Sequence, residues 1–141
     1  MKVTRRDACL LLPMLYALPA IAGEGDKLAS GVFSFAKLPA KKNGLATRRD
    51  ILEGQTATGD YLEVHETVLE PGGAPHPPHH HAGEEMFLVI RGTLQITIAG
   101  KSTQMGPGSM AFVASNEEHG VHNAGDSEAQ YFVLTVGAKA P

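Results

Sequence analysis

The sequence predicts an all-β fold, an antiparallel sandwich or barrel made of short strands. The first observation is composition, because 16 glycines and 9 prolines with only 19% charged residues are typical of a turn-rich chain. The second is a series of short β-type segments separated by turns that contain glycine or proline. These segments are residues 61–69, 86–90, 93–98, 102–105, 109–113, 120–122 and 130–136. Residues 32–35 and 47–52 are predicted to be additional edge strands.

Two of these segments carry information about their surroundings. In segment 61–69 the apolar side chains alternate with Glu63, His65 and Thr67, which either line a cavity or face solvent. Segment 86–90 is apolar on both faces. This pattern indicates a strand that is covered on both sides, as at the interface of a dimer.

The N-terminal residues are predicted to be an export signal and not part of the fold. A basic start is followed by an apolar stretch over residues 8–22, which ends in an Ala-x-Ala site at residues 20–22. This stretch is shorter than the ~20 residues that a helix needs to span a bilayer, so we expect cleavage after Ala22 and no membrane anchor. Residues 4–6, Thr-Arg-Arg, resemble the twin-arginine signal, with the general secretory route as the alternative.

Length, charge and cysteine content exclude several classes of protein. A chain of 141 residues is long enough for one ordinary domain. Its formal net charge of −3 argues against a nucleic-acid partner, which requires a basic face. The single cysteine, Cys9, lies in the predicted signal. The mature chain, expected to be periplasmic or secreted, therefore has neither disulfides nor thiolate ligands.

Candidate metal ligands are concentrated in the histidine-rich part of the chain, where four of the seven histidines lie within residues 76–81. Because a strand places residues two apart on the same side, His79 and His81 are predicted to point into one space. Imidazole is a common ligand of first-row metals. Glu85 can return to that space as the next strand begins, and His119, which opens a later strand, is the natural fourth candidate.

The neighbouring titratable residues have other predicted positions. Glu84 is predicted to face solvent, because using it in place of Glu85 would reverse the strand face, and His80 is predicted to point outward. His122 lies at an odd spacing from His119 and is predicted to face away from the site. His76 lies either at the pocket mouth or on a loop surface.

Two motifs within residues 73–123 together resemble those of the cupin superfamily. The first is matched at Gly73, His79, His80, His81, Glu85 and Gly92. The second is matched at Gly108, His119 and Asn123. Ala114 and Asn116 depart from the pattern, which usually has Pro and Gly at these positions. Paired motifs are far more specific than either motif alone.

This resemblance implies a jelly-roll barrel, also called a double-stranded β-helix, with a short N-terminal extension. It extends over about residues 60–137 and divides the chain into four regions. These regions are a signal peptide at 1–22, an extension with edge strands at 23–59, a cupin barrel at 60–137 and a tail at 138–141.

The resemblance also implies a metal site. Carried over position by position, it assigns His79, His81, Glu85 and His119 as ligands of one divalent transition metal. Nitrogen and oxygen ligands without sulfur suit Mn or Fe, with Zn, Ni, Co or Cu as alternatives. Glu85 is also the candidate catalytic residue, as a base if it loosens from the metal. Similarity to dimer-forming cupins predicts a homodimer.

Three functions are compatible with this site. The favoured prediction is a metal-dependent oxidoreductase, similar to the cupin dioxygenases, acting on a small organic molecule. The alternatives are a non-redox Lewis-acid isomerase or lyase, and a non-catalytic domain that binds a small molecule or a metal. The sequence contains no phosphate-binding glycine loop, dinucleotide fingerprint or G-x-S-x-G elbow. We therefore expect any catalysis to depend on the metal.

Overall fold

Strands make up most of the regular structure in the computed structural model, which describes residues 27–138. The strands are β1 (Lys41–Asn43), β2 (Ala46–Gln55), β3 (Tyr61–Leu69), β4 (Glu84–Arg91), β5 (Leu94–Ile98), β6 (Lys101–Met105), β7 (Met110–Val113), β8 (His119–Asn123) and β9 (Ala129–Gly137). A single 3₁₀ turn, Phe35–Lys37, precedes them. Within the described residues no helix has the length and apolar composition needed to cross a membrane. The predicted export signal with Cys9 lies outside the described residues.

Two antiparallel sheets pack around one core. The larger sheet has the strand order β1-β2-β3-β9-β4-β7, and the smaller has the order β6-β5-β8. Leu94 and Val121 from the smaller sheet join Val89 and Tyr131 from the larger in a single cluster of buried side chains. The predicted all-β class and jelly-roll barrel are therefore confirmed. Strands β1 and β2, from the predicted N-terminal extension, form one edge of the larger sheet.

The turn between β4 and β5 shows why one motif glycine is required. Gly92 has φ +76, in the left-handed region that L side chains rarely adopt. A Cβ atom at this position would lie 2.4 Å from the carbonyl oxygen of Glu128 and 2.7 Å from the Cα of Ala129. Both neighbours are backbone atoms, so they cannot move aside as a flexible side chain could. Only glycine fits here, and the turn brings β5 directly after β4.

The predicted edge strand at residues 32–35 is wrong. Val32 is 98% exposed, and the backbone turns into the 3₁₀ segment at Phe35. The amide groups of Lys37 and Leu38 donate to the carbonyl oxygens of Ser34 and Phe35, so the backbone hydrogen bonds are local. The edge that the segment would have joined is occupied by β1, which pairs with residues 46–48 of β2.

Within residues 27–138, strand β4 is buried on one face and only partly covered on the other. Phe87 and Val89 are buried in the core, whereas Ile90, at the end of the strand, is 43% exposed. The neighbouring strand β7 adds Met110 and Phe112, which are 62% and 54% exposed. We call these three exposed side chains the β4–β7 patch. The apolar character that predicted double burial is thus present, but among the described residues the second face is only partly covered.

Candidate metal centre

Four side chains predicted as metal ligands converge inside the barrel. Ring nitrogens of His79, His81 and His119 all lie within 4.8 Å of one another. The Glu85 carboxylate joins them, with Oε1 at 3.3 Å from His81 Nε2 and Oε2 at 3.0 Å from His119 Nε2. His81, Glu85 and His119 are buried, and His79 is half-buried. The structure therefore brings together all four residues of the predicted site.

Backbone pairing places these residues. His79 and His119 form an isolated antiparallel bridge, in which each amide donates to the carbonyl oxygen of the other at 2.9 and 2.8 Å. Glu85 is the second residue of β4, and because strand side chains alternate, it points inward while Glu84 is exposed. The amide of Asn116 donates to the His81 carbonyl oxygen at 2.8 Å, which ties the turn before β8 to the histidine segment.

The departure from the family pattern at Asn116 does not disturb this turn. Asn116 has φ +63, the left-handed conformation for which glycine is the usual residue. Asparagine is one of the few other residues that adopt this conformation readily. The path to His119 is therefore kept with Asn in place of Gly.

Hydrogen bonds to the backbone orient two of the imidazoles. His81 Nδ1 donates to the carbonyl oxygen of Gly83, and His119 Nδ1 donates to that of Glu117, both at 2.9 Å. A carbonyl oxygen can only accept, so each Nδ1 carries the proton and each Nε2 keeps its lone pair. Metal-ligating histidines are typically held in this way.

The arrangement fits a divalent cation. His79 Nδ1 and His119 Nε2 are buried and have no hydrogen-bond partner within residues 27–138. Burying an unpaired polar atom costs about 1–3 kcal/mol, so such atoms are uncommon in a settled core. A cation between the three imidazoles and the carboxylate would satisfy them. Three His nitrogens and one carboxylate are a donor set that first-row divalent metals accept.

At two of the four residues, His79 and Glu85, the electrostatics of the site favour the protonation state that binds metal. Burial, with His76 and His119 nearby, lowers the pKa of His79 to about 4, so this imidazole is neutral at pH 7. Burial alone would raise the pKa of Glu85, but the contacts with His119 and His81 outweigh it and lower the pKa. Contact with Glu85 raises the pKa of His119, which works against metal binding at this residue, because a ligating imidazole must be neutral.

A cavity of about 280 Å³ opens beside these four residues. Glu63, His65 and Thr67 of β3 line it, so the two alternatives for this strand face are resolved in favour of a cavity wall. The exposed His76 also lines the cavity, and its ring centroid lies 4.3 Å from that of His79. His76 is thus at the pocket mouth. The volume is at the lower end of the range for ligand pockets, about 300–1,000 Å³.

The other predicted positions near the site are also observed. His80 and Glu84 are exposed. His122 lies on the opposite face of β8 from His119, because buried and half-buried residues alternate along that strand. One functional contact was missed by the sequence analysis: Thr135 Oγ1 donates to Glu85 Oε1 at 3.2 Å. No sequence signal connects these residues, which meet only through the pairing of β4 with β9.

Comparisons with known proteins agree with the fold. Residues 65–136 match the Cupin_2 family, described as the cupin domain. The structure of KdgF from Halomonas sp. is similar with a TM-score of 0.68 and 15% identity, over 79% of this chain and 96% of that one. A predicted oxalate decarboxylase from Thermotoga maritima is similar with a TM-score of 0.66 and 14% identity, over 77% of this chain and 100% of that one.

A third similar structure is the polyketide cyclase RemF from Streptomyces resistomycificus. Its TM-score is 0.66 at 20% identity, over 81% of this chain and 83% of that one. At such identities the likeness extends to the fold and not to the reaction. The family match covers half of the chain and all four residues of the predicted metal site, and the chain belongs to the cupin domain family.

Proposed function

We propose that this chain is a metal-dependent enzyme that acts on a small organic molecule in the 280 Å³ cavity. The observation that carries the proposal is the pair of buried, unpartnered imidazole nitrogens, on His79 and His119, beside that cavity. With His81 and Glu85, these residues would hold one divalent ion. When bound, such an ion supplies Lewis acidity and, if it is Mn or Fe, redox chemistry.

Oxidoreduction of the dioxygenase type is the first candidate for the reaction. The ligand set without sulfur supports it, because His and carboxylate ligands with open positions are typical of non-heme iron oxygenases. The buried position of the ligands also supports it, since a water-poor site limits side reactions of the bound molecule. A non-redox reaction is the second candidate. It is favoured by a hydrogen-bonded Glu63–His65 pair in the cavity wall, which faces the site without being part of it.

Metal content and oxygen uptake test the first candidate. The mature chain, residues 23–141, is purified and its metal is quantified by elemental analysis, and we expect about one divalent ion per chain. Iron- and manganese-loaded protein is then mixed with a panel of small carboxylic acids and phenols in an oxygen electrode. We expect oxygen uptake that requires both the metal and one class of substrate.

Each outcome of this experiment decides a different part of the proposal. Sub-stoichiometric metal after loading contradicts the metal site itself. Stoichiometric metal with no oxygen uptake contradicts the oxidoreductase and leaves the non-redox candidate, which has its own test below. Saturable binding of a panel compound without any product would instead indicate a non-catalytic binding domain.

A second copy of the chain is the partner that we propose for the β4–β7 patch. Its three side chains, Ile90, Met110 and Phe112, form an exposed apolar group on adjacent strands. Contiguous apolar surface of this kind marks an interaction site in soluble proteins. In sedimentation velocity we expect the mature chain to be a dimer and Phe112→Lys to shift it to monomer. A wild-type chain that is monomeric at micromolar concentration would contradict this partner.

The remaining expectations follow from the sequence alone. We propose a periplasmic or secreted location, on the strength of the basic and apolar residues 1–22. The weakly acidic chain, with a net charge of −3, is proposed to have no nucleic-acid partner.

A further inference from the structure

We propose that His65 is a proton-transfer residue, positioned by Glu63, and that the site acts on a small enolisable carbonyl compound. This inference rests on the proposed function, because the reacting molecule must lie in the cavity between His65 and the metal-binding residues. It adds a catalytic residue on a different strand from all four of them.

The register of three strands places His65 on the same sheet as Glu85, two strands away and facing the same cavity. Glu63 of β3 pairs with Thr135 of β9, and Thr135 pairs with Glu85 of β4, so these residues form one row across the sheet. His65 lies in the next inward-facing row, where it pairs with Val133. Adjacent strands are about 4.8 Å apart and successive inward-facing residues of a strand about 6.8 Å apart, so the backbones of His65 and Glu85 are separated by about 12 Å. A molecule of a few atoms can contact both side chains.

The hydrogen bond between His65 and Glu63 fixes the state of the imidazole. His65 Nδ1 lies 3.2 Å from Glu63 Oε1. The His65 contact, together with Arg48 and against the effect of burial, lowers the pKa of Glu63 to about 2. The carboxylate is therefore ionised and can only accept, so Nδ1 of His65 carries the proton. In the neutral imidazole Nε2 then holds the lone pair and can accept a proton from a molecule in the cavity.

Glu63 is itself held in place from two sides. Arg48 Nη2 donates to Glu63 Oε1, and the Tyr61 hydroxyl donates to Oε2 at 3.1 Å. The carboxylate thus has little freedom to rotate away from His65. A histidine that is held in one orientation by a fixed carboxylate is a common form of general base in enzymes.

A purely structural role explains this pair less well. The side chains of His65 and Glu63 are only 12% and 18% exposed, so the pair is not a solvated surface contact. Within residues 27–138 the hydrogen bond of His65 is the one from Nδ1 to Glu63, so Nε2 is left free to contact a molecule in the cavity. Two other titratable groups that line the cavity, Lys41 and His76, are less suited to this role. Lys41 pairs with Asp50 at 2.6 Å, and His76 is exposed at the mouth.

The proposed step is a proton transfer that requires no oxidant. Nε2 of His65 takes a proton from the carbon next to a carbonyl group, and the C–H electron pair moves into the new C=C bond as charge develops on the carbonyl oxygen. The imidazolium then returns the proton to the same or a neighbouring carbon. The net result is proton exchange or isomerisation, with no change in oxidation state. The cavity of about 280 Å³ limits the substrate to a small molecule.

Deuterium exchange into pyruvate tests the catalytic step. Zinc-loaded mature chain, which cannot undergo redox chemistry at the metal, is incubated with pyruvate in D₂O, and loss of the methyl signal is followed by proton NMR. We expect catalysed exchange in the wild type and a maximal rate at least about 100-fold lower in His65→Gln, with little change in the half-saturating pyruvate concentration. The control His122→Gln, on the outer face of β8, should exchange at the wild-type rate.

A second measurement does not depend on activity. Nitrogen-15 NMR of the metal-free chain should show His65 with its proton on Nδ1, and Glu63→Gln should abolish that preference, since an amide can also donate. Zinc stoichiometry separates the two proposals, because His65→Gln should still bind one zinc per chain. Loss of zinc binding in the wild type contradicts the proposed function. A zinc-loaded wild type without exchange, an equal rate in His65→Gln, or a proton on Nε2 overturns the role of His65.

Discussion

Replacing His119 with alanine is expected to lower the affinity of the chain for a divalent ion by more than about 100-fold. Loss of a residue that merely orients a ligand already costs 10- to 100-fold in metal affinity, and His119 contacts the site directly. Its Nε2 is buried without a hydrogen-bond partner and lies 3.0 Å from Glu85 Oε2. The replacement removes one donor and also leaves the buried Glu85 carboxylate without its nearest imidazole.

Isothermal titration with zinc and with manganese measures this loss, and the same strand provides a matched control. His122 lies three residues further along β8 with its side chain on the opposite face, so His122→Ala should change the affinity less than about 3-fold. Thermal unfolding gives an independent readout. A metal at 1,000 times its Kd stabilises the wild type by about 4 kcal/mol, and His119→Ala should lose this gain. Equal affinities for the two variants would contradict the proposed ligand set.

The success of the strand predictions has a simple physical origin. Where one face of a strand is buried, apolar side chains recur at every second residue of the sequence. Strand β9 is an example, because buried and half-buried residues alternate from Ala129 to Val136. Segment 61–69, in which apolar and polar residues alternate in the sequence, has the observed bounds of β3. Boundaries elsewhere differ by one to several residues, because paired backbone continues beyond the clearly patterned side chains, as in β2.

The candidate metal ligands could be predicted because they fall in two sequence motifs, but the rest of the cavity could not. His79, His81 and Glu85 lie within seven residues of sequence, and their spacing alone brings them together. The Glu63–His65 pair faces the site only because β9 lies between β3 and β4. The pairing Thr135–Glu85 spans 50 residues and leaves no local pattern. Sheet order, which a single sequence does not reveal, decided which polar face became the cavity wall.

The wrong edge strand and the missed ion pair between Arg49 and Glu66 both depend on contacts between separate segments, which the sequence alone does not reveal. Residues 32–35 were predicted from apolar character alone, yet Val32 is exposed and the ring of Phe35 lies 4.8 Å from the Arg49 guanidinium carbon. Beneath this contact Arg49 pairs with Glu66, which lies on the otherwise apolar face of β3 and is fully buried. A glutamate buried among apolar residues needs a partner of opposite charge, and Arg49 on the adjacent strand β2 is that partner.

Replacing Arg49 with methionine should therefore destabilise the chain by about 3 kcal/mol. Removing one member of a buried ion pair costs about 3–5 kcal/mol, and the lower value applies because the Arg49 side chain is 23% exposed. Without it, the Glu66 carboxylate keeps only the amide of Gln130, which donates to it at 2.8 Å. Urea denaturation of the mature chain measures the loss as a lower midpoint at an unchanged slope.

Two further variants separate the cost of an unpaired charge from the loss of packing. Arg49→Met combined with Glu66→Leu removes both charges, and we expect most of the stability to return, because an apolar pair of similar volume often replaces a buried ion pair without loss. Arg91→Met breaks the exposed Arg91–Glu128 pair of the same sheet and should cost less than about 1 kcal/mol. If the double variant is no more stable than Arg49→Met, the contact with Phe35, and not the charge of Glu66, is what Arg49 contributes to the fold.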